Sequence, residues 1–216
     1  MSEHAFSDAE RAAVYRAIGE RRDMRHFAGG SVAPEVLGRL LAAAHQAPSV
    51  GLMQPWRFIR ISQSELRGRI QALVEQERVR TAHALGERTD AFMKLKVEGI
   101  NDCAEVWVAA LMDNREPHIF GRRTLPEMDL ASLACAIQNL WLAARVEGLG
   151  LGWVSLFDPQ ALAALLGMPA GAKPVAVLCL GPVTEFYPAP MLVMENWAEE
   201  RPLSDMLYEN QWGERP

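Results

Sequence analysis

Arg21-Arg22-Asp23-Met24-Arg25 places three guanidiniums within five residues, at the end of a helical pattern. Like charges at that density repel one another, so the cluster either lies in solvent or faces an anion. Guanidinium is a planar donor fork, suited to phosphate or to the polar edge of a ring. Asp23 sets one carboxylate in the middle of the run. Taken by itself, the run reads best as a self-paired surface turn. Two later stretches change that balance: Ala47-Pro48-Ser49-Val50-Gly51-Leu52-Met53-Gln54-Pro55-Trp56 and Gly148-Leu149-Gly150-Leu151-Gly152-Trp153-Val154-Ser155.

Around these stretches lies a chain of 216 residues, half of them hydrophobic and 23% charged. That is enough apolar material for a buried core and argues against disorder. Net charge is -5 and no long basic patch occurs, which disfavours nucleic-acid binding. No apolar run approaches the roughly 20 residues that span a bilayer. Met1 to Glu10 is polar, with no apolar core, so no secretory signal is expected and the location is read as cytoplasmic. The three cysteines, Cys103, Cys135 and Cys179, form no CxxC pair and are expected to be buried, reduced thiols. The five histidines show no metal-ligand spacing, so no metal is assigned.

Ser7-Asp8-Ala9-Glu10 reads as a capping box opening a helix with Ala13, Val14, Ala17 and Ile18 on one face. Phe27 to Gly30 is a turn. A second helix opens across Ser31 to Glu35, tolerates Pro34 in its first turn and ends before Pro48. A strand is expected over 57–62. Residues 63–102 read as polar helices broken near Gly86, forming a lid or a dimer arm. Ala104 to Met112 is nearly continuous apolar sequence, a strand buried on both faces. Met128 to about Glu147 is a helix apolar almost all round, hence central or at a subunit interface. Trp153 to Phe157 is expected as a short strand, followed by an Asp158-capped helix closed by Gly167. Val175 to Leu180 is a further apolar strand. Residues 182–216 turn polar and proline-rich yet keep Trp197, Leu203, Met206, Leu207, Tyr208 and Trp212. They form an arm over the same domain or wrapping a partner subunit. Helices and strands mix without regular alternation, so residues 1–216 are read as one α+β domain.

Familiar nucleotide and hydrolase motifs are missing. Gly148-x-Gly-x-Gly152 follows a helix and precedes a strand, the reverse of a dinucleotide fingerprint. It reads as a helix C-cap and tight turn whose glycines let backbone approach a ligand ring. There is no Walker A loop and no Gly-x-Ser-x-Gly elbow.

The order and spacing of RRxxR, then APSxxxxQPW, then a Gly-rich GW turn, then Arg201-Pro202-Leu203 resemble the nitroreductase-like flavoprotein family from about Glu10 to Leu207. Asp23 stands where ordinary nitroreductases often carry Ser, and Leu52 where they carry Asn. These departures, with Lys96-x-Glu98-Gly99-Ile100, Gln138-Asn139-Leu140-Trp141 and Gly152-Trp153-Val154-Ser155, resemble its 5,6-dimethylbenzimidazole synthase branch.

The resemblance implies an α+β fold with a mixed, mainly antiparallel sheet flanked by helices, in an intertwined homodimer with FMN at the interface. It implies FMN binding by Arg21, Arg22, Asp23, Met24 and Arg25, by Pro48, Ser49, Gln54 and Trp56, and by Gly152, Trp153, Val154 and Ser155. Ser49 would come from the other subunit, and the tail residue Arg201 would pair with phosphate. The implied activity is fragmentation of reduced FMN by O2 to 5,6-dimethylbenzimidazole and erythrose 4-phosphate, supplying the lower ligand of vitamin B12. A separate reductase would deliver the reduced flavin. Such chemistry must exclude water, which suits a lid. It also needs a positioned base for carbon-bound protons, for which Asp23 is the candidate, with Ser155 as a relay. Two other readings stand beside it: an NAD(P)H-dependent nitro- or enone reductase, and a non-catalytic flavin-binding protein. Rapid NADPH oxidation marks the first, and bound reduced flavin that merely reoxidises marks the second.

Overall fold

The computed structural model describes residues 4–215. The first three residues of the Met1–Glu10 segment and Pro216 lie outside that range. The sequence opens on α1 (Asp8–Glu20), and its capping box is present: Ser7 Oγ accepts from Glu10 N–H while Glu10 accepts from Ser7 N–H. In α2 (Pro34–His45) proline occupies the first turn, where its missing N–H breaks no helical bond. Leu37, Leu40 and Ala44 form its buried stripe.

Strands β1 (Trp56–Ile61), β2 (Glu105–Leu111), β3 (Gly150–Val154) and β4 (Lys173–Gly181) form one antiparallel sheet in the order β1-β2-β4-β3. Every residue of β2 is buried because both faces of the sheet are covered. Trp107, Ala109 and Leu111 pack with α2 and α5 (Met128–Val146), while Val106 and Val108 share the opposite cluster with Ile70 and Val74 of α3 (Ser64–Ala84) and Leu162 of α6 (Pro159–Leu165). The continuous apolar run thus splits into two alternating faces.

The 63–102 stretch is less uniform than its polarity suggests. After a break at Gly86, whose φ is +57°, comes the short α4 (Thr89–Lys94). Phe92 and Leu95 join Ala82 in a third apolar cluster with Trp197, which follows α7 (Met191–Met194).

Two expectations are corrected. The glycine-rich stretch is not wholly a turn: Gly148, at φ +76°, ends α5, but Gly150 and Gly152 lie in β3, which starts three residues earlier than the sequence pattern indicates. Pairing with β4 fixes this register, Gly152 lying opposite Cys179. Cys135 is exposed on α5, while Cys103 and Cys179 are buried. The residues flanking Cys135 are apolar, but its own angular position turns it outward, along with Leu130 and Gln138.

Candidate functional site

The arginine run ends α1 and then becomes extended. Met24 N–H donates to Leu151 O at 3.0 Å, and Asp23 forms a parallel bridge to Leu151, so the strip continues the sheet beyond β3. Glycine makes this closeness possible. A Cβ on Gly152 would stand 2.2 Å from Met24 O and 2.6 Å from Arg25 Nη1. Met24 itself is fully buried, its side chain lying beside Gly150.

Asp23 and Arg25 form a two-pronged pair, Nη1 to Oδ1 and Nη2 to Oδ2, both 2.7 Å. Trp153 clamps the pair: its N–H donates to Asp23 Oδ1 at 2.9 Å and its carbonyl accepts from Arg25 Nη2 at 2.8 Å. Arg25 is buried, whereas the Asp23 side chain keeps 44% of its surface open. Burial in protein surroundings raises the Asp23 pKa above the ordinary carboxylate value; Arg25, the Trp153 N–H and Arg21 pull against it. Oδ2 receives one donor within the chain and so retains acceptor capacity.

The other two arginines behave differently. Arg22 donates to the carbonyls of Gly19, Arg21 and Pro188, and its Nε is buried with no partner. The Arg21 guanidinium lies 4.6 Å from the centre of the Trp141 ring, a cation–π contact. Neither makes an ion pair among the described residues, so two positive charges remain un-neutralised beside the Asp23–Arg25 pair.

These residues line one wall of a cavity of about 650 Å³. Arg21, Arg22, Asp23, Arg25, Trp153, Val154 and Ser155 all reach it. Ser155 is exposed, and its hydroxyl makes no hydrogen bond within the described residues. The rest of the lining is mainly apolar, with Phe92 of α4 and Leu95 at its end, then Met191, Leu192 and Trp197, and Glu200 adds one further charged side chain. That apolar lining was not legible beforehand. The available signal was Trp197, an aromatic in an otherwise polar, proline-rich tail.

The remaining predicted residues do not line this cavity within one chain. Gly152 lies behind the Asp23–Arg25 pair as a spacer. Pro48 is exposed; Trp56 is buried, its Nε1 3.3 Å from His45 Nδ1. Ser49 Oγ accepts from Gln54 N–H at 3.0 Å. Leu52 and Gln54 adopt φ of +52° and +48°, and Leu52 is 79% exposed. Left-handed backbone at non-glycine residues is uncommon and costs about 1–3 kcal/mol, and it clusters at functional sites. Arg201 lies in the exposed tail.

The nitroreductase family model matches residues 18–182, which contain the strip, the sheet and the spacer glycine. The chain belongs to the nitroreductase family. Among its relatives is a 5,6-dimethylbenzimidazole synthase of Rhodospirillum rubrum, 42% identical over 185 residues that cover 84% of this chain and 87% of the relative. A 5,6-dimethylbenzimidazole synthase of Rhodobacter capsulatus is 40% identical, with 91% and 96% covered. The nitroreductase fold is also seen in solved structures. A BluB-like flavoprotein from Clostridium difficile has a TM-score of 0.69 at 18% identity, covering 92% of this chain and 99% of its own. Iodotyrosine deiodinase bound to FMN and 3-iodo-L-tyrosine has a TM-score of 0.68 at 20% identity, with 81% and 92% covered.

Proposed function

We propose that this chain is a 5,6-dimethylbenzimidazole synthase, fragmenting reduced FMN with O2 to 5,6-dimethylbenzimidazole and erythrose 4-phosphate for the lower ligand of vitamin B12. The observation that carries the reading is the Asp23 carboxylate, clamped by Arg25 and Trp153 at the wall of a cavity that also holds two unpaired guanidiniums. The synthase relatives, at 40–42% identity, support the same reading.

The residues fit a phosphorylated flavin. The buried, unpartnered Nε of Arg22 and the free Arg21 guanidinium are donors lacking an anion. Arg21 and Arg22 would hold phosphate, and Trp153 with Val154 would lie along the ring. Reduced FMN supplies both the electrons for O2 and the ring carbons of the product. Asp23 is the base for carbon-bound protons, its raised pKa bringing it closer to the working range of a general base. Ser155, with its hydroxyl unengaged, relays a proton or orients water. Phe92, Leu95 and Trp197 exclude bulk water, with the segment around α4 serving as a lid.

The functional unit is a homodimer, and members of the nitroreductase family are commonly dimeric. In this chain α1 has no buried residue and exposes Val14, Tyr15 and Ile18; Leu130, Val146, Leu203 and Trp212 are exposed as well. Pairing would cover these side chains and bring Ser49, Gln54 and Arg201 of one subunit toward the flavin of the other. Among the described residues no helix is long and apolar enough to cross a membrane. A separate reductase supplies reduced flavin, and the site of action is the cytoplasm.

The test is to mix protein with reduced FMN, admit air and separate the products by chromatography. 5,6-Dimethylbenzimidazole at near one equivalent per flavin consumed is expected. Intact FMN as the sole product refutes the reading, and steady NADPH oxidation replaces it with a reductase.

A further inference from the structure

The chain that leaves β4 runs back over the arginine strip. Pro182 O accepts from Ala28 N–H at 2.9 Å, Phe186 lies 4.1 Å beneath the Arg145 guanidinium, and Pro188 O accepts from Arg22 Nη2 at 3.2 Å. Between these contacts sits Tyr187, half-buried. Its hydroxyl oxygen is 3.1 Å from Arg25 N, 3.2 Å from His26 N and 2.6 Å from His26 Nδ1.

The proton count fixes the direction of each bond. Both amides are donors, so they occupy the two lone pairs of the phenol oxygen. The phenol proton then goes to Nδ1, which accepts only in the neutral imidazole that carries its proton on Nε2. The hydroxyl is saturated: two bonds accepted, one donated. Among the described residues the amides of Arg25 and His26 have no other acceptor. On one side Met24 N–H is held by Leu151 O; on the other Ala28 N–H is held by Pro182 O. Residues 24–28 therefore run between β3 and this strap, and the two backbone amides in the middle of the span are held by one phenol.

We propose that Tyr187 is a positioning residue, holding the backbone at Arg25 so that the Arg25 guanidinium keeps Asp23 in its clamped geometry. The consequence for catalysis rests on the synthase reading above; the consequence for the Asp23–Arg25 pair does not.

The experiment uses the full-length Tyr187→Phe protein, which keeps the ring and loses the hydroxyl. Without FMN, amide hydrogen exchange at Arg25 and His26 is expected to accelerate about 2- to 12-fold, the range for losing one neutral hydrogen bond at each amide. Titration of the Asp23 carboxyl, followed by carbon NMR, is expected to move further above the ordinary carboxylate value, because the Arg25 contacts that pull it down are loosened. With reduced FMN and air, product per bound flavin is expected to fall about tenfold while FMN affinity stays within a fewfold. His26→Ala removes the acceptor of the phenol proton and is expected to lower product similarly. His26→Asn, whose Oδ1 can stand in for Nδ1, is expected to restore it; this pair decides the matter if Tyr187→Phe does not fold. Unchanged exchange at the two amides overturns the proposal, as does faster exchange with unchanged Asp23 titration and unchanged product yield. If the unsubstituted protein forms no benzimidazole, the synthase reading fails, and exchange with Asp23 titration alone decides the role of Tyr187.

Discussion

Gly152→Ala tests the joint between β3 and the arginine strip, and its cost can be worked from distances. The added methyl would lie 2.2 Å from the Met24 carbonyl oxygen and 2.6 Å from Arg25 Nη1. Neither neighbour can yield alone. The carbonyl is backbone, and the guanidinium is held by both oxygens of Asp23 and by Trp153 O. Bringing the contact to an ordinary separation requires the strip and β3 to part by about 1 Å. That stretches three bonds across the joint: Met24 N–H to Leu151 O at 3.0 Å, Trp153 N–H to Asp23 Oδ1 at 2.9 Å, and Arg25 Nη2 to Trp153 O at 2.8 Å. At about 1 kcal/mol for the neutral bond and about 1.5–2 kcal/mol for each charge-assisted one, less some relaxation, the loss is about 3 kcal/mol. For a chain of this size that is roughly a 6–12 °C fall in Tm. Because the displaced atoms belong to Asp23 and Arg25, product per bound flavin is expected to fall by more than tenfold as well. Thermal unfolding by circular dichroism and product yield by chromatography measure the two effects. A Gly152→Ala protein within 1 °C of the parent, with full product yield, refutes the view that glycine is required by this close approach.

Asp23→Asn is expected to fold and to bind FMN, but to lose about 10²–10⁴-fold in product per bound flavin, the usual contribution of a positioned base. In the parent, burial raises the Asp23 pKa, so activity is expected to decline as pH falls through that raised value; the Asn variant should lack this limb. The sign for stability is opposite: folded Asp23 holds its proton more tightly than the unfolded chain does. Its ionisation therefore subtracts from stability as pH rises from the ordinary carboxylate value through the raised one. Arg21→Ala is expected to weaken FMN binding by about tenfold or more, the worth of one charge-assisted phosphate contact, and flavin fluorescence titration at two salt concentrations measures it. Asp129→Ala strands two largely buried arginines, Arg115 and Arg122, which both pair with its carboxylate at 2.8–3.0 Å. Denaturant unfolding is expected to show a clearly lower midpoint than the parent.

Much of this protein is local and was therefore written in the sequence. The Ser7–Glu10 box, the Asp158 cap and Pro34 in a first helical turn all act within four residues, and each appears where the pattern places it. The unbroken apolar run of β2 required a strand covered on both sides, and the sheet provides two such faces. The crowding of Arg21, Arg22 and Arg25 around Asp23 marked one wall of the cavity, because like charges so close need an anion or a counter-charge. What the sequence left open was decided by contacts between residues distant in the chain. Asp23 pairs with Arg25 rather than Arg22 because the Trp153 backbone, 130 residues away, offers both a donor and an acceptor to that pair. Gly150 and Gly152 became strand rather than turn because pairing with β4 sets the register and the arginine strip demands their missing side chains. The apolar wall of Phe92, Leu95 and Trp197 joins two segments about a hundred residues apart that no period or cap connects. Tyr187, in a stretch that composition marks only as polar and proline-rich, meets Arg25 because the strap crosses the strip there. Caps and faces follow from neighbouring residues; register, clamps and cavity walls follow from packing, which one-dimensional periodicity does not carry.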